Sequence, residues 1–181
     1  MSFINNLNVK CNSNIEDLLN KNLVAVIGSR KPTKESKKFI KEIIPEFKDS
    51  VIVSGLAFGC DIIAHQTAIE NDIPTIAVLP CGIDNIYPRN HRFIADKIVK
   101  KGGALISEYD SSAKVSNNKF IERDSLMAKL SNEIVVVQCA KHSGTMHTVD
   151  FAIKYGKKLL VNDNPAPGNQ YIIKKYPCEI L

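Results

Sequence analysis

Six short runs constrain what this chain can fold into: Leu23–Ile27, Val51–Val53, Pro74–Leu79, Ala104–Glu108, Ile134–Val137 and Leu159–Val161. Their apolar residues follow one another instead of alternating with polar ones, and stretches with helical spacing separate them. A strand that is apolar on both faces needs cover on both faces. The alternation therefore predicts an α/β fold, a mostly parallel sheet with helices on both faces and right-handed crossovers between strands. In such sheets ligands bind beyond the carboxyl ends of the strands.

The segments between the runs carry their own signals. Ser13 and Glu16 have capping-box spacing and predict a brief helix over Ile15–Leu19. Thr33 is placed to cap a helix through Phe39, Ile40, Ile43 and Ile44, which Pro45 ends. Asn90 is placed to cap a helix bearing Phe93, Ile94, Ile98 and Val99, closed by Gly102-Gly103. Helical spacing also runs from Phe120 to Leu130, and from Thr145 through Val149 and Ala152 to a stop at Gly156. Beyond the last run, Pro165, Pro167, Gly168 and Pro177 predict a surface tail, with Tyr171–Ile173 as a strand or a docking segment. The division expected is an N-terminal segment over 1–22, one core over 23–162 and a tail over 163–181.

Three strand-to-helix loops have the composition of phosphate cradles. Val51 to Asp61 empties a strand through Ser54, Gly55 and Gly59 onto a helix start; Gly28-Ser29-Arg30 and Ser143-Gly144-Thr145 repeat the theme. Glycine lets backbone N–H groups approach an anion, and a helix N-terminus adds roughly half a positive charge. Three such loops on one sheet edge point to a polyphosphate or a nucleic acid backbone. Asp61 is expected to serve its own helix as a first-turn carboxylate, and His65, four residues on, to pair with it structurally.

Other chemistries are disfavoured. No Gly-x-Gly-x-x-Gly follows the first strand and no acidic residue ends the second, which argues against a dinucleotide cofactor. No lysine follows a glycine loop in the manner of an ATPase. The four histidines are scattered, so no cofactor or metal is expected, and His142 and His147 read as solvent-facing. The five cysteines form no Cys-x-x-Cys pair and there is no secretion signal, so they are expected to be reduced thiols in a cytoplasmic protein without a membrane span. A net charge of +5 permits an anionic partner. Between Lys31 and Lys48 six lysines face three glutamates, a pattern that reads first as a solvated helix face.

In several blocks the chain resembles the DprA/Smf family of DNA-processing proteins. The blocks are Val26–Thr33, Val53–Asp61 with Ala64-His65, Thr75–Leu79, Gly82–Asp84 with Tyr87-Pro88 and Asn90, Ile106–Glu108, Phe120–Ser131, and Ser143–Thr145 with Thr148 and Ala152. They recur in the family's order over roughly 23–161. The resemblance implies an extended Rossmann-like fold and non-specific binding of single-stranded DNA through backbone phosphates. It also implies a homodimer, no covalent chemistry, and delivery of DNA to the recombinase RecA in natural transformation. Position by position, it implies that Arg30 holds a phosphate beside the amides of Gly28 and Ser29. Ser54, Gly55, Leu56, Ala57 and Gly59 line the adjoining pocket, and Phe120 stacks on a base. Lys119, Arg123, Ser143, Gly144 and Thr145 complete the DNA-binding set.

Departures from the family pattern are visible too. Its Arg-Asn-Arg stands here as Arg123-Asp124-Ser125, which loses one cation and adds a carboxylate. No room is expected for the family's N-terminal helical domain or its C-terminal winged helix. Two alternatives share the same loops: a nucleotide-binding sensor, and a phosphoribohydrolase of the LOG type. The latter would need glutamate at position 148, where this chain has threonine.

Overall fold

The computed structural model describes residues 6–181; the first five residues of the expected N-terminal segment lie outside that range. One eight-stranded sheet runs through the molecule in the order β1-β5-β4-β3-β2-β6-β7-β8. Its strands are β1 (Asn8–Cys11), β2 (Leu23–Ile27), β3 (Val51–Ser54), β4 (Thr75–Val78), β5 (Ala104–Ser107), β6 (Glu133–Val136), β7 (Lys158–Val161) and β8 (Glu179–Ile180). All neighbours pair in parallel except β1, which runs antiparallel to β5. The helices are α1 (Ile15–Leu19), α2 (Lys34–Ile43), α3 (Cys60–Glu70), α4 (Arg92–Lys100), α5 (Asn117–Leu130), α6 (Thr145–Lys154) and α7 (Pro167–Lys175).

Successive strand residues serve opposite faces, which is why the runs are uninterrupted. Ala25, Ile27, Val53 and Val136 join Leu126, Met127, Val149 and Ile172, from α5, α6 and α7, in one core. Val24, Val26 and Ile52 join Ile40, Ala64 and Ala68, from α2 and α3, in a second. Ala77 and Leu105 meet Ala95 and Ile98 of α4 in a third. Each such buried branched side chain contributes about 1.5–3 kcal/mol through burial.

Several local expectations are corrected. The tail over 163–181 is integrated structure: α7 begins with Pro167 in its first turn, where a missing N–H costs nothing, and β8 extends the sheet beside β7. The N-terminal segment supplies β1 as well as α1, so the sheet reaches beyond 23–162 at both ends. α1 is capped by Asn14, whose side chain accepts from the Glu16 N–H at 3.1 Å, and not by Ser13. Asn90 caps nothing; α4 is entered through a 3-10 turn over Arg89–His91. Thr33 does cap α2, accepting from the Ser36 N–H, and Pro45 turns its end into a 3-10 segment.

The strand order fixes where a site can form. The chain passes from β2 outward through β3, β4 and β5, then returns to the other side of β2 with β6. Ile27 lies opposite Val136 and Ala25 opposite Val53, so the loops leaving β2, β3 and β6 emerge side by side. They emerge where the direction of winding reverses, the position that leaves a crevice in sheets of this kind.

Candidate nucleic-acid interface

That crevice is a cleft of about 720 Å³ between the three loops and the N-terminal half of α5. Gly28-Ser29-Arg30, Ala57, and Ser143-Gly144-Thr145 all line it, as the sequence predicts, and α5 adds Phe120, Arg123 and Asp124. Asp61, His147 and Thr148 line it too, as does Tyr87.

The loops do not all offer an open anion site. The Ser29 N–H donates to the Gln138 carbonyl at 2.7 Å, and the Cys60 N–H donates to the Ser29 carbonyl at 3.0 Å. The Ala57 N–H donates to the Asp61 carboxylate at 3.3 Å. The Ser29 amide is thus already committed, and at the start of α3 a carboxylate from the chain stands where the sequence suggests a phosphate. Asp61 does serve its own helix start, as expected. His65 does not pair with it: its Nδ1 shares a hydrogen bond with Thr75 Oγ1 at 2.8 Å, and burial depresses its pKa to about 3.

The N-terminus of α6 is open by comparison. Among the described residues, the N–H groups of Gly144 and Thr145 have no protein acceptor, while Met146 and His147 begin the helical pattern by donating to Ser143 and Gly144. Arg30 is exposed, joins no ion pair among the described residues, and lies 5.7 Å from the centre of the Phe120 ring. Tyr87 meets Phe120 edge-on at 5.8 Å. A helix N-terminus, a free guanidinium and two aromatic rings therefore share one rim.

Several predicted residues act one step behind that rim. Ser54 is fully buried and donates to the Val26 carbonyl at 2.7 Å, tying β3 to β2. Leu56 is also fully buried, facing α4 with a φ of 57°, and its carbonyl bonds His91 Nδ1 at 2.7 Å. Gly59 holds a φ of 79°, and a Cβ there would stand 2.3 Å from the Ser29 carbonyl. Its role is to let the first two loops touch. Lys119 turns away, donating to the Lys114 carbonyl at 2.8 Å and lying 4.5 Å from the Tyr109 ring centre.

Arg123 is the least expected of the set. Only 6% of its side chain is exposed, and it lies on Gly55, where a Cβ would overlap Nη1 at 1.3 Å. Nη1 is 3.8 Å from Asp61 Oδ2 and Nε is 2.9 Å from Asp124 Oδ1, yet both nitrogens are buried without a directed hydrogen bond. Burial pushes the Asp124 carboxyl up to about 6; Arg123 opposes the rise and the Asp61 charge adds to it. Burial likewise raises Asp61, against Arg123 and the loop amides. Ser125 bonds the Tyr155 hydroxyl at 2.7 Å and is absent from the cleft lining. Of the two departures in the Arg-Asp-Ser triplet, only the carboxylate reaches the site.

The thiols near the cleft are held neutral. Burial pushes Cys60 up to about 12 and Cys139 up to about 11, which leaves neither a nucleophile near neutral pH. Among the described residues no three His, Cys, Asp or Glu side chains are grouped to hold a metal ion, and no helix is long and apolar enough to cross a membrane.

Comparison with known proteins gives a consistent picture. The profile of the DNA recombination-mediator protein A family matches residues 11–177. Protein Smf of Borreliella burgdorferi is 37% identical over 141 residues, which cover 77% of this chain and 45% of its own. DNA processing protein DprA of Streptococcus pneumoniae is 34% identical over 144 residues, 79% of this chain and 51% of its own. The chain thus spans about half the length of these relatives. The X-ray structure of the Streptococcus pneumoniae protein superposes with a TM-score of 0.89 at 29% identity, covering 97% of this chain and 62% of that one. DNA processing protein A of Helicobacter pylori, whose structure describes a single-stranded DNA binding mode, gives 0.87 at 31% identity, covering 96% and 80%. A molybdenum cofactor carrier protein of Chlamydomonas reinhardtii shares the fold at 0.61 and 19% identity, with 89% of this chain covered and 90% of that one.

Proposed function

Because the chain belongs to the DNA recombination-mediator protein A family, we propose that it binds single-stranded DNA along the rim of the cleft, through backbone phosphates. The observation that carries this reading is the shared rim. Arg30 and the open N-terminus of α6 border one cleft with Phe120 and Tyr87. Phosphate contacts from such groups hold a strand without reading it, and an aromatic face adds about 1–3 kcal/mol per stacked base. The Helicobacter pylori relative, described as a single-stranded DNA binder, supports the same ligand here.

In this reading the protein is a binder and not an enzyme. Thr148, buried in the cleft lining, offers a hydroxyl where a phosphoribohydrolase of the LOG type would need a carboxylate. Delivery of the bound strand to RecA during DNA uptake, action as a homodimer and a cytoplasmic location are the further parts of the proposal.

Anisotropy of a labelled oligonucleotide across a salt series tests it. Affinity is expected to fall log-linearly with salt, with a slope of about −0.7 per phosphate contact. Arg30→Ala should weaken binding by about tenfold or more, as suits a charge-assisted contact worth about 1.5–3 kcal/mol. Absence of binding at low salt would refute the proposal.

A further inference from the structure

The positive charge of this chain is concentrated beside the cleft. The whole sequence carries 24 Lys and Arg against 19 Asp and Glu, a net +5. The segment from Arg30 to Lys41 holds six of those cations and one carboxylate, and so accounts for the entire excess. The rest of the chain balances at eighteen of each sign.

The same charge is one-sided in space. α2 buries Ser36 and Ile40 and packs Phe39 and Ile43 against the second core. At about 100° per residue, Lys34, Lys37, Lys38 and Lys41 fall within one arc of about 100° on the opposite side, with Glu35 and Glu42 on its flank. All four lysines are exposed. Lys38 meets Glu42 at 3.4 Å, a solvated pair that holds neither charge firmly. Among the described residues, Lys31, Lys34, Lys37 and Lys41 join no ion pair.

This stripe is continuous with the rim. Arg30 and Lys31 are exposed on the loop that leads into α2, and the Thr33 N–H donates to the Gln138 side chain at 2.9 Å, which fixes the helix start beside the cleft. From there α2 runs back along the sheet, because β3, which follows it, lies parallel to β2. Lys34 to Lys41 spans about 10 Å at a rise of about 1.5 Å per residue.

We infer that the lysine stripe of α2 carries the phosphates of the DNA strand where it leaves the cleft past Arg30, so that the footprint extends beyond the rim along this helix. The track presupposes the single-stranded DNA reading and differs from the rim in kind. Flexible ammonium groups act as point charges, which add affinity and salt dependence without reading bases. An acidic peptide or an anionic lipid surface would feel the same charge, but only a strand already held at Arg30 uses the continuity of rim and stripe.

The test compares labelled oligo-dT of about four and about sixteen nucleotides, the range of single-stranded site sizes, across a salt series. In the variant Lys34→Gln/Lys37→Gln/Lys38→Gln/Lys41→Gln the helix is retained, because glutamine has a helix propensity close to that of lysine. The longer strand is expected to bind this variant about tenfold more weakly at low salt, with a salt slope shallower by at least about 1.4, the loss of two phosphate contacts. The shorter strand should stay within about twofold, whereas Arg30→Ala weakens both. Lys97→Gln/Lys100→Gln, which removes exposed charge from α4, should leave both lengths as they were. An unchanged slope for the longer strand in the α2 variant, or an equal loss for both lengths, would overturn the track while leaving the rim in place. If neither length binds the unmodified protein even at low salt, the single-stranded DNA reading fails and the track falls with it.

Discussion

Asp124 makes the stability of this protein depend on pH in a way that can be isolated. Its carboxyl is raised from an ordinary 3.8 to about 6, first by burial and then by the Asp61 charge, with Arg123 and His147 opposing. Between those two values the folded protein keeps a proton that the unfolded chain has lost. Stability from this group is therefore complete below about pH 4, falls as pH rises, and is gone above about pH 6. At about 1.4 kcal/mol per tenfold change, the ionised form costs the fold about 3 kcal/mol. Asparagine at this position has the shape of the protonated acid and no proton to lose. Asp124→Asn should match the unmodified protein near pH 4 and become more stable by up to about 3 kcal/mol at pH 8, which raises Tm by roughly 6–12 °C in a chain of this size. The amide's own desolvation makes that figure a ceiling. Urea melts of both proteins from pH 4 to pH 8 give the difference directly, because titrations common to both cancel. A difference that shrinks as pH rises, or a variant less stable at pH 8, would refute this account of Asp124.

Other perturbations separate the rim from its supports. Gly59→Ala forces a left-handed residue and a Cβ 2.3 Å from the Ser29 carbonyl. It should cost at least about 2 kcal/mol in chemical denaturation and weaken oligonucleotide binding as well. Ser54→Ala removes a buried bond to the Val26 carbonyl. It should cost about 1 kcal/mol with oligonucleotide affinity unchanged, and a large loss of affinity would return Ser54 to the ligand site. Asn169→Ala strips the Cys139 N–H of its acceptor at 2.8 Å and the Asn162 carbonyl of its donor at 2.9 Å. It should lower stability by about 3 kcal/mol, seen as a shifted urea midpoint, because α7 holds the strand end that leads into the third loop.

The strands were readable because burial on both faces leaves a run of apolar residues that no other element imitates. β1 was not: Asn8–Cys11 is a short edge strand whose partner, Ala104–Ser107, lies far along the chain. α7 was hidden by its own composition. Pro167 sits in the first turn, and Gly168 lies so close to Cys139 that a Cβ would meet its carbonyl oxygen at 2.5 Å, so residues that mark a loop elsewhere mark a docked helix here. At the site the three loops were legible from glycine at strand ends. Which of their amides were already engaged was not, because Ser29 and Ala57 give theirs to Gln138 and Asp61 through tertiary contacts. The resemblance puts Arg123 in the DNA-binding set; its burial on Gly55 depends on how α5 crosses the sheet edge, which periodicity does not report.

The close approach at Gly59 has a mechanical consequence. The first loop is joined to α3 through the Cys60 N–H and to the end of β6 through Gln138, whose side chain also accepts from the Thr33 N–H at 2.9 Å. These ties make two walls of the cleft a single rigid body seated on the central strands. The third wall has fewer ties to the others: a Cβ on Gly144 would meet nothing within 4 Å, and the Ser143 hydroxyl donates to the nearby Ala140 carbonyl at 2.8 Å. Backbone amide exchange is expected to be faster in the turn from Ala140 to Thr145 than in the two loops tied through Ser29, Cys60 and Gln138.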